Sequence, residues 1–185
     1  MEKSITDAIC VYGASSSRID PIYKEAARLT GQLIAVAGCP LVCGGGRGGL
    51  MAEAIEGANS KGGLTIGVLP EFMVERQWQH PALGRMISTP DMHRRKHTMA
   101  SMSRAVIALP GGVGTLEELL EIITWRQLGL YDGNVTILNT DGYYDPLIAM
   151  LERTIEKRFM RQGSHNLWQV ASTPEEAVEK SLSEA

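Results

Sequence analysis

The sequence predicts a single α/β domain over residues 1–185, built on an open, mostly parallel sheet with helices on both faces. Three observations carry that prediction: apolar runs of four to six residues recur, each is followed by glycine, proline or serine, and each break leads into a helical pattern. Strands joined through helices run parallel, because the crossover returns the chain to the same end of the sheet. A length of 185 residues, 44% hydrophobic and 21% charged, is enough to close one core.

Ala8 to Tyr12 reads as the first strand, and Gly13 to Ser17 as a turn. Ile22, Ala26, Leu29, Leu33 and Val36 then recur at helical spacing until Gly38 stops the helix. Pro40 to Cys43 is a short second strand, whose glycine loop at 44–49 enters a helix carrying Met51, Ala54, Ile55 and Ala58. Leu64 to Leu69 is the third strand. From Pro70 to Pro90, with prolines at 70, 81 and 90, the expectation is irregular structure. Asp91 to Met102 reads as a helix capped by Asp91, and Arg104 to Leu109 as the fourth strand. Pro110 to Gly114 turns that strand into a helix from Thr115 to about Gln127. Val135 to Leu138 is the fifth strand, Leu147 to Phe159 an amphipathic helix, and Pro174 to Ser183 a final acidic helix with proline in its first turn. The informative loops all leave strand C-termini, so they converge on the edge where open α/β sheets bind ligands.

A net charge of −3 offers no broad basic field for a nucleic-acid polymer. Cys10, Cys39 and Cys43 make no disulfide framework and no metal-ligand spacing. No run of about 18 apolar residues occurs, so the expectation is a soluble, cytoplasmic protein without a membrane partner.

Glycine is the compositional outlier, at 20 of 185 residues against an average near 7%. Five of the 20 fall in Gly44-Gly45-Gly46-Arg47-Gly48-Gly49 and three more in Gly111, Gly112 and Gly114. Loops without Cβ atoms let a ligand approach the backbone, and the helix that follows offers unpaired amides and a positive dipole end. Phosphate is the natural guest, although either loop alone could be a plain tight turn. Neither loop ends in Gly-Lys-Ser/Thr, and the first strand carries GASSS where a dinucleotide fingerprint needs G-x-G-x-x-G. A mononucleotide therefore fits better than NAD.

Thr115 and Glu118 have the spacing of a capping box, which competes with a chemical role for Glu118. Glu117, Glu118 and Glu121 are nevertheless out of place around a phosphate. MHRRKHTM at 92–99 places Arg94, Arg95 and Lys96 near a helix start, against the dipole, where a nearby anion would relieve them. A solvated basic face is the alternative. His93 and His97 stand four apart but have no third ligand, so no metal is expected.

Taken together, GASS, GGGRGGLM at 44–51, MHRRK at 92–96, PGGVGTLEELLEIITWRQLG at 110–129 and DGYYDPL at 141–147 resemble the LONELY GUY family. These are the cytokinin-activating phosphoribohydrolases long labelled possible lysine decarboxylases. The resemblance implies a Rossmann-like homodimer that cleaves the N-glycosidic bond of adenine-type nucleoside 5′-monophosphates, plain AMP or N6-substituted, to free base and ribose 5-phosphate. It implies no cofactor. By motif position it carries the catalytic pair onto Arg95 and Glu118, with Arg94 the weaker candidate. It carries substrate contacts onto Ser15, Gly45, Gly46, Met92, Lys96, Gly111, Gly112, Val113, Gly114, Thr115, Leu116, Glu117 and Thr124. In VERQWQHPAL, either Glu75 or Gln77 matches a glutamate common in the family, which bears on base preference.

In such a reaction, positive charge grows on the ribose and negative charge on the departing base. The expected roles follow: loop amides at 111–115 hold the phosphate, Glu118 orients water and steadies the ribosyl cation, and Arg95 steadies the base. A carrier of nucleotide or molybdenum cofactor would use the same loops without breaking bonds. A pyridoxal-phosphate decarboxylase would need a Schiff-base lysine with a partner for the pyridinium nitrogen, and only Lys96 lies near a motif.

Overall fold

A computed structural model describes residues 7–183. Its strands are β1 (Ala8–Tyr12), β2 (Leu41–Cys43), β3 (Thr65–Pro70), β4 (Arg85–Thr89), β5 (Ser103–Ala108), β6 (Asn134–Leu138) and β7 (Gln169–Ala171). They form one seven-stranded sheet in the order β4-β3-β2-β1-β5-β6-β7, parallel at every pairing. The chain builds outward from β1 on one side, returns to the centre, and builds outward from β5 on the other. Strand order thus reverses between β1 and β5, and the two loops that leave these strands flank the crevice where such sheets take ligands.

The helices are α1 (Pro21–Val36), α2 (Gly49–Ser60), α3 (Glu71–Glu75), α4 (Met92–Ser101), α5 (Val113–Gln127), α6 (Asp145–Glu156) and α7 (Pro174–Leu182). Central strands are buried on both faces and read as continuous apolar runs, as in AICVY and LVC. On one face they pack against Met99 of α4, Leu119, Ile122 and Ile123 of α5, and Leu151 and Ile155 of α6. On the other they pack against Ala27 and Ile34 of α1, Leu50, Ala54, Ile55 and Ala58 of α2, and Ala177 and Val178 of α7. Each fully buried leucine or isoleucine contributes on the order of 1.5–3 kcal/mol. α1 and α2 cross closely because glycine stands at both contacts: Gly31 lies on the Ala54 backbone and Gly57 on that of Arg28.

The five predicted strands are present, with ends shifted by at most one residue. Two strands were not predicted. β4 lies at the sheet edge inside the stretch expected to be irregular, and Arg85, Met86 and Ser88 are exposed, so it lacks an apolar run. β7 has only three residues, Gln169 to Ala171, and takes its form from pairing with β6. The same irregular stretch also holds the one-turn helix α3. No helix among the described residues is long and apolar enough to cross a membrane.

Candidate active site

After β5 the chain passes through Leu109 to Gly112 and enters α5 at Val113, two residues earlier than expected. The N-cap is Gly112, which has no side chain to offer, and Thr115 is the third residue of the helix. The Thr115–Glu118 capping box is therefore absent, since that box requires Thr115 to precede the first turn. Thr115 instead folds back over Gly111, where a Cβ would lie 2.5 Å from the threonine Cβ. Leu116 donates to the Gly112 carbonyl at 3.0 Å, whereas the amides of Gly112, Val113, Gly114 and Thr115 have no acceptor among the described residues. Four unpaired donors at the positive end of a helix, with Gly112, Val113 and Gly114 exposed, are an anion site in form and charge.

The first glycine loop is put to a different use. Gly45 donates to Cys43 Sγ at 3.3 Å, Arg47 to the Trp78 carbonyl at 3.1 Å, and Leu50 to the Ala14 carbonyl at 2.8 Å. The Gly45 carbonyl accepts from His80 at 2.8 Å, and Gly46 bridges Gln79. These backbone groups are engaged within the protein, with Gly45 in left-handed backbone at φ +67° against Gly67. In this loop the amides of Gly45, Arg47, Gly49 and Leu50 are engaged, whereas those of Gly46 and Gly48, like those at 112–115, have no acceptor among the described residues. Gly44 does something the sequence does not suggest: a Cβ there would run into Nη2 of Arg95, with Met51 Sδ 3.1 Å away.

That contact seats the central pair. Arg95, 7% exposed, donates from Nε to the Val68 carbonyl at 3.1 Å and from Nη1 to Glu118 Oε1 at 3.0 Å. Its guanidinium is thus held by β3, by α5 and by the loop after β2. Burial pushes the Glu118 carboxyl above the usual carboxylate range; Arg95 opposes the shift and Glu117 adds to it. Glu118 lies five residues beyond Val113, which is about 7.5 Å along the helix axis at 1.5 Å per residue.

Asp91 caps α4 as expected, accepting from the Arg94 amide at 2.8 Å. The cations that follow divide sharply. Arg94 is exposed, while Arg95 and Lys96 turn inward. Lys96 Nζ bonds Glu117, and also Glu121 at 3.0 Å. Burial pulls its pKa down, but the two carboxylates more than offset that, and the net shift is upward. The anion that relieves the basic helix start is therefore supplied by α5 itself, through Glu117, Glu118 and Glu121.

Ser15 is exposed in the loop after β1, its carbonyl against Gly48, and Met92 is half-buried at the start of α4. Glu117 and half-buried Leu116 flank the pair on α5. Thr124, whose hydroxyl donates to the Leu120 carbonyl at 2.7 Å, lines a groove along α5 that also takes in Val113, Leu116, Glu117, Glu121 and Trp125. Glu75 and Gln77 are both exposed at the end of α3, with Gln77 in left-handed backbone at φ 56°. Next to them Arg76 stacks on Phe72 and Trp78, its guanidinium 5.7 and 5.3 Å from the ring centres.

Comparison with known proteins bears on this geometry. The family described as possible lysine decarboxylase matches residues 51–181. A probable cytokinin riboside 5′-monophosphate phosphoribohydrolase of Oryza sativa subsp. japonica is 41% identical over 172 residues, covering 93% of this chain and 70% of the relative. A cytokinin riboside 5′-monophosphate phosphoribohydrolase of Arabidopsis thaliana is 40% identical over 180 residues, 97% of this chain and 84% of the relative. Among solved structures, the molybdenum cofactor binding protein of Rippkaea orientalis superposes with a TM-score of 0.72 at 29% identity, covering 94% of both chains. By the family match and by these relatives, the chain belongs to the possible lysine decarboxylase family, the LONELY GUY proteins.

Proposed function

We propose that this chain is a phosphoribohydrolase: it hydrolyses the N-glycosidic bond of adenine-type nucleoside 5′-monophosphates, AMP or its N6-substituted forms, without a cofactor. The observation that carries the proposal is the Arg95–Glu118 pair, its carboxylate on the same helix whose first amides, at 112–115, are unpaired among the described residues. The α5 amides take the 5′-phosphate. Glu118, ionised, orients a water toward C1′ and steadies the positive charge that grows there. Arg95 steadies the negative charge on the departing base. The C1′–N bond breaks, water supplies hydroxide to C1′ and its proton to the base, and the products are free base and ribose 5-phosphate. Lys96 ties Glu117 and Glu121 together beside the pair.

The protein works as a cytoplasmic homodimer in this proposal. Support comes from apolar side chains left in water on α5 and just beyond it, with Val113 82%, Leu120 42%, Leu128 65% and Leu130 70% exposed.

Chromatography of AMP, dAMP, GMP, CMP and isopentenyl-AMP after incubation with the protein tests the activity, with free adenine or its N6-substituted form as the expected product. Glu118→Gln keeps nucleotide binding and loses on the order of 10²–10⁴ in rate. Retention of a nucleotide or of molybdenum cofactor with no base released overturns the enzyme in favour of a carrier, the alternative that the likeness to the Rippkaea orientalis protein supports.

A further inference from the structure

The turn at 139–146 joins β6 to α6 and touches neither Arg95 nor Glu118, yet it is built with unusual care. Asp141 sits in left-handed backbone at φ 54° and Gly142 follows at φ 68°. Such a conformation in a residue other than glycine is costly and persists where the surroundings enforce it. Asn139 enforces it from both ends, accepting from the Tyr144 amide at 2.7 Å and donating to Asp145 Oδ1 at 2.7 Å. The result is two consecutive tyrosines aimed back at the loop after β5. Tyr144, buried, donates its hydroxyl to the Leu109 carbonyl at 2.7 Å. Tyr143, 43% exposed, donates to the Gly111 carbonyl at 2.7 Å. The Tyr143 ring is held edge-on between Tyr144, 5.1 Å away, and Tyr23 of α1, 5.9 Å away.

We infer that Tyr143 is a positioning residue for the phosphate-binding loop, acting through the Gly111–Gly112 peptide; the inference rests on the function proposed above. A peptide unit is planar and trans, so its carbonyl and its amide point in opposite directions. With the Gly111 oxygen held by Tyr143, the Gly112 N–H of the same unit is turned away from the tyrosine, and no group among the described residues accepts it. Glycine on both sides of this peptide leaves the plane free to rotate unless something outside the loop holds it. The phenol supplies that restraint. By polarising the carbonyl it also makes the amide on the same unit a better donor. Tyr144 anchors the start of the loop at Leu109 and Tyr143 sets its orientation, so the loop meets an anion already arranged.

Tyr143→Phe removes one hydroxyl and leaves the ring between its neighbours. The expected result is a rise of about tenfold in KM for the nucleoside monophosphate, the size of one hydrogen bond, with kcat within twofold of the parent. Calorimetry with ribose 5-phosphate should show the same loss of affinity, and the melting temperature should hold. Unchanged KM and affinity overturn the inference, as does a fall in kcat at constant KM or a loss confined to thermal stability. Calorimetry does not depend on turnover. If the parent releases no base, the proposed activity fails alone, and the affinity ratio between the parent and Tyr143→Phe still decides the role of Tyr143. A parent that does not bind ribose 5-phosphate overturns the inference too.

Discussion

Gly44→Ala tests the idea that the first glycine loop seats a guanidinium and leaves phosphate to the second. The new methyl group falls inside the space of Arg95 Nη2, and Met51 Sδ at 3.1 Å closes the side route. Non-bonded contact needs about 3.5–4.0 Å, so the guanidinium retreats by on the order of 1–2 Å. Its bonds to Glu118 at 3.0 Å and to Val68 at 3.1 Å cannot both survive a move of that size. Losing one charge-assisted hydrogen bond costs about 1.5–3 kcal/mol, and a 1 Å misplacement at a reacting centre can cost about 10²-fold in rate. The obstructed atom ends a flexible side chain, so the fold itself should be nearly unaffected. Steady-state hydrolysis of the preferred nucleotide, with a thermal melt alongside, is the assay. A drop in kcat of about 10²-fold at near-constant KM is expected, with a melting temperature lower by about 3–12 °C from the lost hydrogen bond. A variant with normal kcat and raised KM would refute the reasoning, because it would place Gly44 against the phosphate.

Two further predictions follow from burial and packing. Glu118 must be ionised to work and its pKa is raised by burial, so kcat/KM falls as pH drops through a value above the ~4.3 of a free glutamate. A pH–rate profile whose acid limb lies at or below the free-glutamate value would remove Glu118 from that role. Gly31→Ala forces a methyl group onto the Ala54 backbone, 2.8 Å from its carbonyl carbon, where α1 and α2 cross. The intrinsic helix preference for alanine, about 1 kcal/mol, does not offset overpacking of about 1–3 kcal/mol. A net loss of up to about 2 kcal/mol lowers the melting temperature by up to about 4–8 °C and leaves low-temperature kinetics intact. A raised melting temperature would show that the two helices can separate without cost.

Most of the fold was legible because buried parallel strands announce themselves as unbroken apolar runs, as AICVY and LVC do. β4 was invisible for the converse reason: at an edge, Arg85 and Ser88 face water and no run survives. At the candidate site, the choice of Arg95 over Arg94 came from motif position, and burial separates the same two residues. The capping-box expectation failed because helix starts are decided by backbone geometry, and Gly112 took the cap three residues before Thr115 and its hydroxyl. The seating of Arg95 over Gly44 was out of reach of any spacing rule, since it joins residues that share neither a helix face nor a strand register. Tyr143 was visible only as part of a motif, because its role depends on which carbonyl the folded turn faces.

The reversal of strand order has a consequence for when the molecule becomes able to act. Arg95 rides on the segment that brings the chain back from the edge strand β4 to the centre, its Nε bond reaches β3 in the first-built half of the sheet, and Glu118 belongs to the second half. Neither half contains a complete pair. Parallel pairings between distant segments form late, after their loop-closure entropy has been met. A chain still emerging from synthesis, or one cut between the halves, therefore holds Arg95 and Glu118 apart, and on the function proposed above the capacity to cleave nucleotides arrives only with the joining of β1 to β5.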